Sequence, residues 1–438
     1  MSRRSLLAVM CIGYFLVLLD VSALNVALPR LRAALETDSR TLSWVISGYA
    51  VPFASLLLFG GALGDRAGHR RIVLCGLVLF GLGSAGCALA PSIGALIATR
   101  AVQGIGAAAL LPGTLAVINR EFPPNERTRA IGIWAAVGGL ALPAGPLVGG
   151  LVLTATSWRA VFWLNVPLVA FAVLAVARLA PRDQPDPTRR VDPAGATLAA
   201  LALGLLAWAA ATESPWIGLG ALLALGGFLL AEARVRHPMV PLPMFADRGF
   251  SVANAAAFAM NFTAQGMLFL LTLFLQNTQH RSVLAAGLGA FPAFALLVLV
   301  PPFASRLIGR YGAPAVTVGG LVLAVAGLAL LLPVGAGTPY LGLVPGLLVW
   351  GAGLGLITPA VVAGATGTVP PERAGLASGL NNTARQAGNA VGVPAFAAIG
   401  GFGGAAGIAA LVCAAAAVSV AASRAGRSIG APRAGCPG

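Results

Sequence analysis

The chain contains no lysine: all 28 basic residues are arginine. Acids are scarcer still, 13 in 438 residues, and charged residues make up 9%, against about 25% in a soluble domain. That deficit excludes a soluble globular protein, and the 58% hydrophobic content points to a membrane. The net charge of +15 comes from arginines flanking apolar runs, so no nucleic-acid partner is expected. The five cysteines, Cys11, Cys75, Cys87, Cys413 and Cys436, are scattered, which excludes a disulfide framework and zinc spacing. His69, His237 and His280 lie in or beside expected loops; no shared metal site and no cofactor are expected. The 57 glycines and 30 prolines are spread through apolar runs, excluding collagen and low-complexity disorder; membrane helices tolerate both residues. An arginine-only basic complement with an excess of alanine and glycine reads as the coding bias of a GC-rich bacterial genome.

What is present is apolar length. About 20 such residues cross a bilayer, and fourteen segments of roughly that size occur, near residues 6–28, 44–63, 71–90, 93–117, 129–153, 160–180, 194–211, 215–231, 251–275, 284–305, 313–333, 339–364, 375–396 and 403–422. The expected fold is an all-α integral membrane protein with 14 transmembrane helices. The opening "SRRSLL" resembles a twin-arginine export signal, but the run after it holds Asp20 and many apolar segments follow, so a retained first helix is expected. With the N-terminus in the cytoplasm, 21 arginines fall on the cytoplasmic side and five outside (Arg30, Arg32, Arg40, Arg159, Arg281), while Arg100 and Arg385 fall within segments. This split follows the positive-inside rule and expects both termini in the cytoplasm, beneath a bacterial inner membrane.

Two short echoes divide the chain. "LGDRAG" (63–68) returns as "LIGRYG" (307–312), offset by 244, and "PPNER" (123–127) as "PPER" (370–373), offset by 247. They suggest a duplicated six-helix bundle: residues 1–180 and 251–438, with two inserted helices and linkers in 181–250. Parallel six-helix repeats are a transporter architecture with the substrate site between the halves.

Asp20 lies in the middle of "YFLVLLDVSALNVALP" (14–29) and is the only acid near a segment centre. An aspartate there is unfavourable by roughly 2.5–3.5 kcal/mol on insertion scales. Two explanations stand: a cap or permanent ion pair, or a proton-binding group, since low dielectric favours the neutral carboxyl and water or a cation favours the charged one. Arg100 lies at a similar depth, about 20 Å from the inner face on a 1.5 Å rise per residue, so it can either tune Asp20 or brace backbone carbonyls.

Four motifs resemble the major facilitator superfamily, specifically its fourteen-span drug:proton antiporter branch. "LDVSALNVALP" (19–29) resembles that branch's first-segment signature, with Ser22 and Ala23 as departures. "GALGDRAGHRR" (61–71) resembles the superfamily's cytoplasmic loop, and "RAVQGIGAAA" (100–109) its fourth-segment motif. The antiporter motif of segment 5 is met by Gly132, Gly145, Pro146, Gly149 and Gly150, with Ala141 in place of a glycine. "GIGAAA" (104–109) also fits a dinucleotide fingerprint, but it lies inside an apolar helix without the preceding strand.

The resemblance implies a proton-coupled antiporter that exports hydrophobic drugs or antibiotics by alternating access, active as a monomer, with protons and an apolar small molecule as its partners. Asp20 and Arg100 would couple protons. Gly61, Asp65, Arg66, Gly68 and Arg70 would form a cytoplasmic gate, with Asp65 latching onto the region near Ala374, Arg120 or Arg127. Asn25, Gln103, Trp134, Asn261, Gln265, Asn382, Gln386 and Asn389 would line the cavity; the last three share one helical face. Arg385, if it faces that cavity, disfavours cationic substrates. The alternatives are an importer of a small metabolite, or a non-transporting membrane sensor. No paired acid, metal cluster or nucleophile constellation suggests an enzyme, and no P-loop suggests ATP.

Overall fold

Carrying backbone polar groups through an apolar run requires each to be bonded within the chain, and helices do this locally. The computed structural model describes residues 3–181, 185, 191–212, 214–235, 238–370, 373–399 and 401–429, and helices are its only regular elements. Arg182, Arg189, Arg190, Arg236 and Arg433, all counted above on the cytoplasmic side, lie outside these residues, as do His237 and Cys436.

In order the helices are α1 (Arg3–Ala34), α2 (Ser39–Ala67), α3 (His69–Leu89), α4 (Ile93–Glu121), α5 (Pro124–Ala155), α6 (Arg159–Leu179), α7 (Pro193–Thr212), α8 (Pro215–Arg234), α9 (Arg248–Leu273), α10 (Val283–Gly289), α11 (Phe291–Leu299), α12 (Pro301–Tyr311), α13 (Ala313–Leu331), α14 (Tyr340–Thr366), α15 (Ala374–Ile399) and α16 (Phe402–Ile429). Side-chain caps start several of them: Asp38 accepts from Thr41 N (2.7 Å), Asp247 from Phe250 N (2.9 Å), and Ser92 from Ala95 N (3.3 Å), satisfying donors that an N-terminus leaves free.

Twelve helices are long and apolar enough to cross a membrane, and a broken pair would make thirteen. The expected fourteen are not reached on this measure, for two physical reasons. The expected tenth segment, 284–305, is broken: Pro301 and Pro302 bring no N–H to the helix, and the part before them meets α12 at a 43° bend. The expected thirteenth, α15, is 26 residues long, but Asn381, Asn382, Thr383, Arg385, Gln386 and Asn389 lower its hydropathy.

Helix α7 lies against both α2 and α15, at the seam between α1–α6 and α9–α16, and α8 packs on α7. The far side of α8 leaves Trp216, Leu222 and Leu223 exposed, as a lipid-facing helix does.

Small residues set the spacing inside each half. A Cβ on Gly104 would come within 2.3 Å of Tyr49 O; on Gly388, within 2.4 Å of Phe258 O; on Gly392, within 2.3 Å of Phe262 O. Backbones this close are the small-residue packing of membrane helices. Gly392→Ala is therefore expected to force α15 off α9 and cost about 1–3 kcal/mol, read as lowered resistance to unfolding in SDS. Gly132→Ala, with nothing within 4 Å of the new carbon, is the neutral control.

The sequence echo has a backbone counterpart. Gly68, between α2 and α3, has φ +96, and Gly312, between α12 and α13, has φ +81; they are the positive-φ glycines among the described residues. Both short connections need the left-handed region that glycine enters without penalty.

The two ends of the molecule differ. At the end where α1 finishes, one continuous apolar core joins Leu24, Leu28, Leu42 and Leu153 to Met267, Leu275, Ala286 and Phe294. There Ser47 Oγ donates to Ala390 O (3.1 Å) and Gln276 Nε2 to Val26 O (3.2 Å). A Cβ on Gly150 would meet Leu284 at 2.9 Å. At the end where α1 begins the cores are separate: one from Leu6 to Ala180, the other from Met244 to Leu380, with Leu58 alone from α1–α6 packed on the second. The halves share one apolar core at the end where α1 finishes, which closes that end apart from a cavity between Arg32 and Ser39 on one side and Leu270, Phe274 and Phe402 on the other, and they keep separate cores at the end where α1 begins.

Candidate functional site

Asp20 accepts from two neighbouring helices, and a third closes the cluster around it. Arg100 Nη1 on α4 donates to Asp20 Oδ2 at 2.5 Å, and both side chains are at most 1% exposed. Gln103, one turn along the same face of α4, donates from Nε2 to Asp20 Oδ1 at 2.9 Å. Asn165 on α6 donates to that oxygen at 2.7 Å. Ser84 on α3 closes the cluster, accepting from Gln103 (3.3 Å) and Asn165 (3.0 Å) while its hydroxyl donates to Phe162 O (2.9 Å).

Arg100 is held on every side. Its Nε donates to Val45 O (3.1 Å), its Nη1 also to Gln103 Oε1 (2.6 Å), and its guanidinium carbon stands 4.4 Å from the centre of the Tyr49 ring. A buried ion pair offsets its desolvation only when its remaining hydrogen-bonding capacity is met, and here three donors satisfy the carboxylate. Arg100 both pairs with Asp20 and bonds a backbone carbonyl, the contacts that each of the two sequence readings requires. Gln103, expected on a cavity wall, is 0% exposed inside this cluster. Asn165 and Ser84 were not anticipated; the signal available was an asparagine in the apolar run "FWLNVPLV" (162–169).

The motif residues of α5 divide between two partners. A Cβ on Gly145 would strike Ser22 Oγ at 1.9 Å, and one on Gly149 would meet Ala23 O at 2.9 Å, so both face α1 in the same half. Ser22 Oγ donates to Ala141 O at 3.0 Å, which ties α1 to α5 at the position where alanine replaces glycine. Pro146 and Gly150 face the other half, at Gly287 and Leu284 of α10. Gly132 lies exposed with open space beside it.

Of the expected cavity residues, Trp134 stacks on Tyr14 of α1, ring centres 4.0 Å apart and 13° from parallel. Asn261 accepts from Arg385 Nε at 3.5 Å, and Asn389 donates to Gln386 at 2.8 Å. Asn382, Arg385, Gln386 and Gln265 are half-buried, and Asn25 is buried on α1. In the segment expected to form a gate, Asp65 Oδ1 pairs with His69 Nε2 at 3.1 Å. Arg70 donates to Ala177 O of α6 at 2.6 Å, Arg66 is exposed, and Gly61 is half-buried against Pro112.

Comparison with known proteins gives one consistent class. The profile of the Major Facilitator Superfamily matches residues 10–393. The multidrug resistance protein Stp of Mycobacterium tuberculosis is 34% identical over 405 residues, covering 90% of this chain and 75% of that protein. A methylenomycin A resistance protein of Streptomyces coelicolor is 33% identical over 395 residues, 87% of this chain and 82% of its own. Among solved structures, the human organic anion transporter MFSD10 (TETRAN) superposes with a TM-score of 0.68 at 18% identity, covering 96% of this chain and 100% of that one; at that identity the likeness is one of fold.

Proposed function

Because the chain belongs to the Major Facilitator Superfamily, a multi-pass membrane transporter and not an enzyme, we propose that it is a proton-coupled antiporter exporting hydrophobic drugs or antibiotics by alternating access. In this reading fourteen spans cross a bacterial inner membrane, α10 to α12 forming one broken span and α15 the thirteenth. Both termini face the cytoplasm, the orientation that the arginine asymmetry favours. Residues 1–180 and 251–438 are the moving halves, 181–250 is the insert, and the monomer is the working unit. The names of the related resistance proteins support export as the direction.

The observation that carries the proposal is the Asp20 cluster. In this reading the end with the shared apolar core is the closed, outer one, which supports assigning the structure to the state that receives substrate from the cytoplasm. In that state Asp20 accepts from Arg100, Gln103 and Asn165 and has no proton to give. Opening the outer end separates α5 from α10 and lets water reach α1 and α4. Asp20 then takes a proton from outside, and the neutral carboxyl no longer binds Arg100 as an ion partner. Closing the outer end restores the pair and leaves the proton on the cytoplasmic side. Substrate and proton thus occupy alternate states, which is the requirement for antiport. The loop of Asp65, Arg66 and Arg70 stands at the end with separate cores and is assigned the cytoplasmic gate.

Everted vesicles made acid inside test the proposal with a panel of aromatic antibiotics and dyes of positive, neutral and negative charge. The expected result is accumulation that needs the protein and collapses with a protonophore. Accumulation indifferent to the protonophore would overturn the coupling.

A further inference from the structure

We infer that the cavity at the outer seam between the halves is a binding site for a small aromatic anion arriving from outside, and that an occupant holds the outer end closed and so slows transport. The site stands on geometry alone; its placement outside and its effect on transport rest on the reading proposed above.

The cavity holds about 430 Å³, within the range of small-molecule sites, about 300–1,000 Å³. Arg32 and Ser39, at the connection from α1 to α2, form one side, and the ends of α9 and α15 with the start of α16 form the other. Its floor is apolar and buried: Leu270, Phe274, Ala397 and Phe402 belong to the core that closes this end. The rings of Phe274 and Phe402 stack there, centres 4.9 Å apart and 18° from parallel. Its remaining walls carry exposed polar groups, Arg32, Asn277 and Thr278. A void beside apolar atoms forfeits contacts that a neighbour of the right shape restores, and a flat ring can extend the stack. The shape asks for an apolar body with a polar head.

Charge selects the head. Arg32 is the one charged residue among the described residues lining the cavity. The other arginines expected outside are engaged: Arg30 donates to Leu153 O and Thr156 O, Arg159 to Ala90 O, Arg281 to Gln279 Oε1, and Arg40 is also partnered. The Arg32 side chain has no hydrogen bond or ion pair among the described residues. Two acids share its connection, but neither lines the cavity: Asp38 caps α2 at Thr41 N, and Glu36 is exposed. A guanidinium pairs with an oxyanion through parallel hydrogen bonds. An occupant touches both halves, and opening the outer end must part the two walls. A ligand shifts such an equilibrium by its difference in affinity for the two states, so this one favours the closed state.

Three probes of one shape test this: naphthalene-2-sulfonate, its neutral sulfonamide, and 2-naphthyltrimethylammonium, each titrated calorimetrically into the full chain in phosphatidylcholine nanodiscs, with empty nanodiscs subtracted. The sulfonate should bind about fivefold tighter than the sulfonamide, the upper end for an exposed ion pair, with the ammonium weakest. Arg32→Gln should bring the sulfonate level with the sulfonamide and keep the sulfonamide's affinity, which also reports a folded variant. Arg32→Glu should put the ammonium first, a reversal that a merely structural arginine does not give. In right-side-out vesicles loaded with an exported compound, external naphthalene-2-sulfonate at a hundred times its Kd should slow efflux by up to about a hundredfold. A preference that survives Arg32→Gln, no reversal in Arg32→Glu, no binding of any probe, or binding that slows transport from neither face would overturn the inference. If the sulfonate acts only on everted vesicles, the orientation alone falls. If the preference stands while the protein exports nothing, the transport reading falls and the site remains; if export stands without an Arg32-dependent preference, the site alone falls.

Discussion

Asp20→Asn is expected to insert, to keep its fold, and to export nothing above the level of vesicles that lack the protein. The carboxamide has nearly the volume of the carboxyl and keeps one accepting oxygen, but its NH2 faces a donor and Arg100 loses its counter-charge, so the variant is expected to fold with lowered stability. What it loses is the ability to gain and release a proton. Because Asp20 is the only acid near a segment centre, no other group takes over the coupling. The measurement is uptake of the exported panel compound into everted vesicles, normalised to protein in the membrane. Full uptake by Asp20→Asn would remove Asp20 from the mechanism and leave it a structural ion pair.

The second large effect is on stability. Arg100→Ala leaves a carboxylate in the core with Gln103 and Asn165 as its donors and no counter-charge. Breaking a buried pair from one side costs about 3–5 kcal/mol, and the loss of the Tyr49 contact at 4.4 Å adds to it. The double variant Asp20→Asn/Arg100→Ala removes the stranded charge as well. It should recover a large part of that loss, a coupling that only residues in one network give. SDS unfolding of the two single variants and the double variant reads this directly. Strict additivity would mean that the pair contributes nothing as a pair.

Some of this site is written in the sequence and some is not. Asp20 stands out because a carboxylate in an apolar run has few reasons to be there, and the depth of Arg100 makes it a candidate partner. Gln103 was readable too: it is three residues from Arg100 and shares its face, so it belongs with Asp20 and not on a cavity wall. Asn165 and Ser84 carry weaker signals, since a single asparagine or serine in a span bonds other helices in many ways and the chain does not say which face it takes. Tyr14 escaped for the same reason. Its contact is the stacking of Trp134, 120 residues away, which no local pattern encodes.

The fold shows the same division. Apolar length located the helices but not all of their ends, since α1 and α16 run to Ala34 and Ile429, past the expected 28 and 422, and the echo of "LGDRAG" in "LIGRYG" marked two connections that share a positive-φ glycine. The break within 284–305 was marked by Pro292, Pro301 and Pro302, but a single ruler of hydrophobic length passes over it. Which end of the molecule is closed is not a property of any segment. It depends on how Gly150 seats against Leu284 and Ser47 against Ala390, contacts between halves that the sequence separates by more than a hundred residues.

The central claim is that Asp20 stays paired with Arg100 while the outer end is closed and takes up a proton when that end opens. Gly150→Trp tests it, because the bulky side chain pushes α5 off Leu284 and holds the outer end open. Infrared difference spectra of the purified protein, at one fixed pH, read the carbonyl stretch of a protonated carboxylic acid. The account predicts this band in Gly150→Trp and its absence from both the wild type and Gly150→Trp/Asp20→Asn. A spectrum unchanged by opening the outer end, or a band that persists without Asp20, contradicts it.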